Sequence, residues 1–565
     1  MGFADLLETV GGFGKFQVIH VVLLTVPSLF MASHNLLQNF VAAVPDHRCR
    51  VRLDANTSGY LNATGEEPLG RDLLRAFVPL DQDGRPDKCR MYTAPQWQLL
   101  AANGTWGNWS DQPDTQPCAD GWVYDRSQFT ATIVTEWDLV CGQKSLKRMA
   151  QSIYMAGLLI GAIVLGSLSD KYGRRNLLLW SSFQLAVSGI CGMFSPSFPL
   201  FCFGRFLCGM ALSGVLGNTY FYVLELIPTR TRTSVITCMN YVYTFGQLLL
   251  AGVAFCVRDW HWLQCAVTLP FLLVFLYSWW LSESARWLIM NDKADAALKE
   301  LKKVARLNGK EAEGEALTIE ILRLKMEEDL SNVRESYSLL DLFRTPEIRR
   351  LTFSSTFVWF ALGFSYYGLS IDLQGFGANI YLIQVIFGAV DIPAQFITFL
   401  LLNYMGRCFT QSSSFILAGI IILINIFIPK EMQTLHTALA AVGKGSLAAA
   451  YACAYLHTAE FFPTVIRQTA LGMTSLASRV GAFMAPIIRL IGDYVPFLPT
   501  ATYGGIAVLA GIVAISLLET RNIPLPDTIE ELERRMKKCA KQLKKAKRED
   551  IPLHDTEISL LKQSA

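Results

Sequence analysis

Twelve stretches of about twenty apolar residues run through this chain of 565 residues, and they restrict its fold more than any other feature. About twenty apolar residues in an α-helix, at ~1.5 Å per residue, cross a hydrocarbon core of ~30 Å. Since 52% of the residues are hydrophobic, a water-soluble fold would expose many of these runs. The sequence therefore predicts an all-α membrane protein with twelve transmembrane helices, near 18–44, 149–169, 176–196, 198–224, 234–257, 261–282, 351–371, 378–402, 408–429, 435–459, 468–490 and 498–518.

Four charged residues lie in the interiors of these spans: Arg205, Asp391, Lys444 and Arg479. A charge at that depth costs roughly 2.5 kcal/mol or more, so it normally faces protein or a water-filled interior and is a functional candidate. Arg479 is the most informative, because it lies near the middle of its span. Either it binds an anionic ligand, or it pairs with Asp391 or with helix-end carbonyls and only holds helices together. Arg205 and Lys444 lie in the outer thirds of their spans and are expected to be structural or entry-path residues.

The distribution of basic residues predicts the orientation. Short loops after spans 2, 4 and 8 are basic, whereas 195–199 has no charge, and basic loops mark the cytoplasmic side. A multi-pass plasma-membrane protein is predicted, with both termini and 283–350 cytoplasmic and 45–148 outside. The first apolar run has no cleavage site and is not expected to be a signal peptide.

The large segment 45–148, between helices 1 and 2, supports this orientation independently. Four N-x-Ser/Thr sequons predict glycosylation there, at Asn56, Asn62, Asn103 and Asn108. The segment also holds an even set of cysteines, Cys49, Cys89, Cys118 and Cys141. In an oxidising compartment these predict two disulfides, with three pairings open. No metal-ligand spacing occurs, and no metal or cofactor is expected.

The chain contains an internal repeat. The pattern E-x-x-P-T-x-x-R occurs at 225–232 and again at 460–467, an offset of 235 residues, and Gly246 and Gly481 each follow fourteen residues after the arginine. Two pseudo-symmetric six-helix halves are therefore predicted, and transporters built this way bind substrate between the halves near the midplane. The predicted domains are 1–282, a cytoplasmic linker 283–350, 351–518 and a cytoplasmic tail 519–565.

The loop after span 2 carries a second signature, Gly166-Ser-Leu-Ser-Asp-Lys-Tyr-Gly-Arg-Arg175. It resembles the loop motif of the major facilitator superfamily. Charges in this loop and in the two repeats could form a gate that breaks when the halves rock. An anchor of positive charge on the inner side is the alternative. The candidate gating residues are Asp170, Arg174, Arg175, Glu225, Arg232, Glu460 and Arg467.

Further local matches narrow the resemblance over nearly the whole chain. The segments 11–17, 136–141, 283–288, 519–521 and 525–529 resemble the organic anion/organic cation/carnitine transporter family, and 31–35 with 381–391 resemble its organic anion branch. The resemblance implies a non-enzymatic secondary transporter of amphipathic organic anions, such as steroid sulfates and aromatic mono- or dicarboxylates. It implies alternating access and exchange against a counter-anion. The expected partners are these small anions and the bilayer, not nucleic acid.

The expected substrate site combines a cation, aromatic faces and polar groups. Arg479 offers a planar fork of donors for carboxylate or sulfate. The resemblance places aromatic residues around the cavity, although lipid contact or helix packing is the alternative for each. For the polar stripe of span 1, packing between helices is the alternative. The candidates are Tyr243, Trp359, Phe364, Tyr366, Tyr367, Gln395, Tyr451, Tyr455, His34, Asn35 and Asn39.

Gln395 departs from the family pattern, because members of the organic anion branch usually carry a basic residue there. This predicts a weaker preference for dicarboxylates. Two cytoplasmic helices are also predicted, at 294–307 and 527–548, and the second is strongly basic. It either binds anionic inner-leaflet lipid or is simply solvated. Two other functions stay open: an organic cation or zwitterion carrier on the same fold, and a non-transporting membrane receptor.

Overall fold

The computed structural model describes residues 3–51, 74–81, 84–96, 113–323, 339–371, 373–376, 379–429, 431–492, 494–521, 526 and 529–536. All four predicted glycosylation sites, Asn56, Asn62, Asn103 and Asn108, lie outside the described residues, as does most of the predicted basic tail helix. The chain forms two compact units. The helical unit comprises 1–39, 148–256 and 263–565, and the strand unit comprises 40–147 with 257–262.

Helices make up nearly all of the helical unit, as the long apolar runs require. In chain order the helices of both units are α1 Phe3–Thr9, α2 Lys15–Leu36, α3 Gln38–Val41, α4 Ile133–Glu136, α5 Lys144–Tyr172, α6 Arg174–Met193, α7 Phe198–Leu226, α8 Arg232–Cys256, α9 Trp260–Ser278, α10 Ala285–Met290, α11 Ala294–Leu307, α12 Glu311–Glu315, α13 Pro346–Ser370, α14 Ile380–Tyr404, α15 Arg407–Ile424, α16 Gln433–Phe461, α17 Thr464–Ile491 and α18 Leu498–Ile515.

Within the described residues, eleven helical segments are long and apolar enough to cross a membrane. They correspond to eleven of the twelve predicted spans. The remaining predicted span, 351–371, is helix α13, which is long enough at 25 residues but is not among the eleven. The all-α membrane fold is confirmed, and the count of twelve stays a prediction.

Glycine allows close helix contacts at equivalent positions of the repeat. A Cβ built on Gly246 of α8 would lie 2.0 Å from the carbonyl oxygen of Leu29 in α2. A Cβ built on Gly481 of α17 would lie 2.2 Å from the carbonyl oxygen of Phe360 in α13. Only a residue without a side chain allows the backbones to approach this closely. The two glycines of the sequence repeat therefore mark the same type of helix crossing in each predicted half.

Two more glycines form tight turns between consecutive helices, and the first of them belongs to the loop signature at 166–175. Gly173, between α5 and α6, has φ of 100°, and Gly406, between α14 and α15, has φ of 96°. Residues that carry a side chain rarely adopt such positive φ values, so glycine is strongly favoured at both turns. The two turns also place the first backbone N–H groups of α6 and α15 beside half-buried carboxylates, those of Glu283 and Glu519.

The predicted amphipathic helix at 294–307 is confirmed as α11. It buries Ala297, Leu301, Val304 and Ala305 on one face, at helical spacing. Asn308, just after α11, accepts a hydrogen bond from the backbone N–H of Phe16 at 3.0 Å and donates to the carbonyl of Val10 at 3.2 Å. The end of α11 is thereby fixed to the start of the first long helix.

The strand unit contains two short antiparallel pairs. Strand β1 (His47–Cys49) pairs with β4 (Trp122–Tyr124), and β2 (Arg90–Tyr92) pairs with β3 (Thr115–Pro117). The four predicted cysteines form two disulfides, Cys49–Cys118 and Cys89–Cys141, which selects one of the three open pairings. The buried apolar cluster of the strand unit is small and includes Cys49 and Cys118. Disulfides stabilise such a unit because they reduce the entropy of the unfolded chain.

Candidate functional site

Arg479 is a cation that has no counter-charge among the residues described in the structure. It lies on α17, is partly exposed, and has no hydrogen bond or ion pair with any residue that the structure describes. Its electrostatic neighbours are the phenols of Tyr367, Tyr451 and Tyr455. A guanidinium in this setting retains its five N–H donors for a ligand, and its planar fork fits carboxylate or sulfate.

The aromatic residues beside Arg479 form one continuous cluster. The Trp359 ring lies 4.5 Å from Tyr455 and 5.8 Å from Tyr451, and Tyr366 lies 6.1 Å from Tyr451 and 5.4 Å from Tyr367. These rings come from α13 and α16. Tyr455 is 50% exposed, whereas Trp359 is 1% exposed. The cluster thus offers an accessible phenol on a buried aromatic base, which suits an amphipathic ligand.

Polar side chains fix this cluster in place. The Trp359 indole N–H donates to Thr458 Oγ1 at 2.9 Å, and the Tyr451 hydroxyl lies 3.2 Å from Ser478 Oγ. Sequence reasoning did not identify Ser478 or Thr458. Ser478 directly precedes Arg479, which was the available signal.

A second polar chain reaches the cluster from the predicted N-terminal half. Tyr154 donates to Asn35 Oδ1 at 2.8 Å, and Asn35 Nδ2 donates to the Tyr243 hydroxyl at 3.1 Å. Tyr243 lies beside Tyr367, which in turn neighbours Arg479. Asn35 and Tyr243 are thereby brought together with the predicted site. Tyr154, on α5, was missed because a tyrosine in an apolar run gives no sequence signal.

Three predicted site residues lie elsewhere. Phe364 is 2% exposed and packs on Tyr503 of α18, with ring centroids 5.0 Å apart. His34 is 1% exposed and packs edge-on against Phe271 at 5.5 Å. Asn39 donates to the carbonyl of Ser370 at 3.0 Å, which joins α3 to the end of α13. The structure places all three in helix packing, the alternative that the sequence left open for them.

Asp391 does not pair with Arg479. Its Oδ2 atom lies 2.7 Å from Lys444 Nζ, and the side-chain N–H of Gln247 donates to the same oxygen at 3.0 Å. Lys444 also donates to Gln247 Oε1 at 3.0 Å and to the Phe387 carbonyl at 2.6 Å. The interpretation of Arg479 as the partner of Asp391 is therefore wrong. Lys444 is the structural cation, as expected from its outer position, and its charge is neutralised.

Gln395 lies one helical turn after Asp391 on α14. It is partly exposed, and its Nε2 donates to Thr244 Oγ1 of α8 at 3.2 Å. The amide therefore joins helices of the two predicted halves.

Four of the candidate gating residues lie in two equivalent ion-pair clusters, one beside the turn at Gly173 and one beside the turn at Gly406: Asp170, Arg174, Glu225 and Glu460. In the first, Arg174 contacts Glu225 at 3.1 Å and Asp170 at 2.8 Å. In the second, Arg407 makes two hydrogen bonds of 2.9 Å to Glu460. The pairs are side-chain bridges between the ends of different helices.

Each cluster has one further carboxylate that the repeat pattern did not reveal. Glu283 accepts from the backbone N–H groups of Arg174 at 3.0 Å and Arg175 at 3.2 Å, and Glu519 accepts from those of Arg407 and Cys408 at 2.9 Å. Both acids therefore cap a helix N-terminus, where negative charge is stabilised. Burial raises the pKa of Glu283, although these backbone donors favour its ionised form.

The arginines of the repeat pattern do not join these clusters. Glu225 and Glu460 pair with Arg174 and Arg407, whereas Arg467 donates to the Phe462 carbonyl at 3.3 Å. Arg232 makes no ion pair with any residue in the described part of the chain, and its electrostatic neighbour is another cation, Arg286. Arg175 donates to the carbonyls of Ser278 and Trp279. None of these contacts is to a carboxylate of the two clusters. The gating role of these three arginines stays a prediction.

Comparison of the whole chain with known proteins identifies its family. Residues 111–531 match the model described as "Sugar (and other) transporter". The chain is 52% identical over 542 residues to solute carrier family 22 member 6-A of Xenopus laevis, which covers 96% of both chains. It is 49% identical over 567 residues to solute carrier family 22 member 6 of Danio rerio, and 47% identical over 566 residues to member 20 of Mus musculus, with full coverage of both chains in each case.

The chain belongs to solute carrier family 22. This membership confirms the resemblance drawn from the local motifs, and it identifies a membrane transporter rather than an enzyme. Among solved structures, the partially occluded inward-open xylose transporter XylE of E. coli matches this family 22 chain with a TM-score of 0.56 at 14% identity, over 88% of this chain and 98% of that one. The inward-open form gives 0.55 at 19% identity, over 69% and 89%. These matches confirm the major facilitator fold.

Proposed function

We propose that this protein carries amphipathic organic anions across the plasma membrane by alternating access, in exchange for a second anion. The observation that carries the proposal is the partly exposed Arg479, which has no counter-charge among the described residues and stands beside an aromatic cluster. An anionic head on Arg479 and an apolar body on Trp359 and Tyr455 would satisfy both features. Steroid sulfates and aromatic carboxylates have this chemistry.

The charge inventory favours anions over cations. A cation carrier needs an unneutralised carboxylate near the ligand, and the acid in the interior of the described spans, Asp391, is paired with Lys444 at 2.7 Å. Arg479 would repel an organic cation instead. The full-length similarity to family 22 members supports a carrier over a non-transporting receptor.

The ion pairs at the basic end support a gating role. Arg174 with Glu225 and Arg407 with Glu460 join helix ends, and in an alternating-access cycle such pairs would break as the halves rock. In this proposal the basic end faces the cytoplasm together with both termini, and the strand unit with its disulfides lies outside the cell. The bulk of 45–148 would then be the glycosylated loop.

Uptake of a radiolabelled steroid sulfate into cells or vesicles, normalised to surface protein, tests the proposal. Arg479→Lys should keep part of the uptake, because the charge remains while the bidentate fork is lost. Arg479→Gln should reduce uptake at least tenfold. The matched control is Lys444→Arg, which retains a cation beside Asp391 outside the proposed site. Normal sulfate and carboxylate transport by a surface-expressed Arg479→Gln variant would show that the anion binds elsewhere.

A further inference from the structure

Arg205 is a second cation that has no counter-charge in the described part of the chain, and it is far more buried than Arg479. It lies on α7 and is 2% exposed. Its guanidinium carbon lies 4.2 Å from the centre of the Tyr154 ring, so one face of the group is covered. Its Nε and Nη2 atoms have no hydrogen-bond partner in the described chain. Its electrostatic neighbours there are a phenol, an imidazole and two thiols, none of them a carboxylate: Tyr154, His34, Cys202 and Cys208.

The contrast with Lys444 shows what is missing. Lys444 is also fully buried, and it has a carboxylate at 2.7 Å and two further acceptors within 3.0 Å. A buried charge without such partners is strongly disfavoured, since neither water nor an opposite charge compensates its desolvation. A guanidinium cannot escape this cost by losing its proton. The open N–H donors of Arg205 therefore call for a negatively charged acceptor, and the described residues supply none.

A second group with open hydrogen-bonding atoms lies on α5, about one helical turn before the Tyr154 ring that covers Arg205. Gln151 is 1% exposed, and neither atom of its amide has a hydrogen-bond partner in the described chain. It precedes Tyr154 by three residues on α5, so both side chains lie on the helix face that meets α7. The two backbones are in contact here, because a Cβ on Gly209 would lie 2.2 Å from the Tyr154 carbonyl oxygen.

We propose that Arg205 and Gln151 bind one small inorganic monoanion, with chloride as the representative ligand, inside the helical unit. The N–H edge of the guanidinium and the amide N–H of Gln151 are the donors, and the Tyr154 ring covers the guanidinium face. The 2% exposure of Arg205 excludes a bulky organic anion, and a single guanidinium charge is balanced by a single negative charge. This site is separate from Arg479 and does not depend on the proposed substrate site.

Thermal unfolding of the purified full-length protein in detergent tests the site, with chloride replaced by gluconate at constant ionic strength and no organic substrate. Chloride and bromide should raise the unfolding midpoint of the wild type by a few degrees in a saturable manner, since a ligand that binds only the folded state stabilises it. Arg205→Met, which has a neutral side chain of similar length, should abolish the rise. Gln151→Leu should raise the half-saturating chloride concentration roughly tenfold, through the loss of one hydrogen bond to a charge.

Arg479→Met is the matched control, because it removes the other interior arginine for which the described residues offer no counter-charge. The chloride-dependent rise should persist in this variant. The proposal is overturned if the wild type shows no rise, if Arg205→Met keeps it, or if Arg479→Met alone loses it. If Arg205→Met cannot be purified folded, Gln151→Leu decides: an unchanged half-saturating concentration overturns the site.

Discussion

The identity of residue 395 should determine whether this transporter accepts dianions. In the wild type, a second carboxylate near α14 meets the neutral amide of Gln395, which is already engaged with Thr244 at 3.2 Å. Burying a charge opposite a neutral group is costly even when water remains nearby. We therefore expect the wild type to prefer monoanions, and we expect Gln395→Lys to raise the affinity for dicarboxylates.

The size of the effect follows from Coulomb's law. An ammonium and a carboxylate ~4 Å apart interact by ~4 kcal/mol at an effective dielectric constant of ~20. Loss of the hydrogen bond from Gln395 to Thr244 costs about 1 kcal/mol, and partial exposure screens the new pair further. A net gain of roughly 1.4 to 2.8 kcal/mol corresponds to a tenfold to hundredfold increase in dianion affinity. A monoanion held on Arg479 should change by only severalfold.

Trans-stimulation measures this directly, with vesicles preloaded with a five-carbon dicarboxylate and labelled steroid sulfate outside. Gln395→Lys should strengthen the stimulation, and Gln395→Met, which loses the same hydrogen bond without adding charge, should not. Strong dicarboxylate exchange by the wild type, unchanged by Gln395→Lys, would show that another cation holds the second carboxylate. That result would refute the role assigned to Gln395.

Three further predictions concern the scaffold and the gate. Gly481→Ala should lower thermal stability, by an overpacking cost of ~1–3 kcal/mol, whereas Gly472→Ala on the same helix, with nothing within 4 Å of its Cβ, should not; equal unfolding midpoints would contradict the close α13–α17 contact. Asp391→Asn should sharply reduce folded protein, measured by size-exclusion profile, because it leaves Lys444 buried and unpaired at a cost of roughly 3–5 kcal/mol, and adding Lys444→Met should restore it. Glu460→Gln should weaken the two bonds to Arg407 and change the ratio of uptake to efflux without altering surface expression, and an unchanged ratio would argue against a gating role.

Sequence patterns predicted the features that depend on regular spacing. Apolar runs of membrane length predicted the spans, and the repeat placed Gly246 and Gly481 at equivalent crossings. The even cysteine count predicted the two disulfides but not their pairing, because pairing depends on how the chain between the cysteines folds. The mid-span position of Arg479 singled it out, but nothing in the sequence showed that it lacks a partner.

Contacts between distant segments could not be predicted in this way. The sequence offers Asp391 as a possible partner for Arg479, but Asp391 pairs with Lys444, which lies 53 residues away on another helix. The repeat pattern ended in Arg232 and Arg467, whereas the glutamates of the same pattern pair with Arg174 and Arg407. A side chain's direction around a helix follows from its sequence position, but its partner depends on which helix packs there.

The four interior charges differ in whether the described residues neutralise them. Lys444 and Asp391 cancel each other and, through Gln247, join α16 and α14 to α8 of the other predicted half. Arg205 and Arg479 have no such partner among the described residues, so the interior carries two uncompensated positive charges. Arg479 is partly exposed and can meet a large substrate, whereas Arg205, at 2% exposure, has room only for a small ligand. The same chemical group is therefore suited to bind a large organic anion in one helix and a small ion in the other.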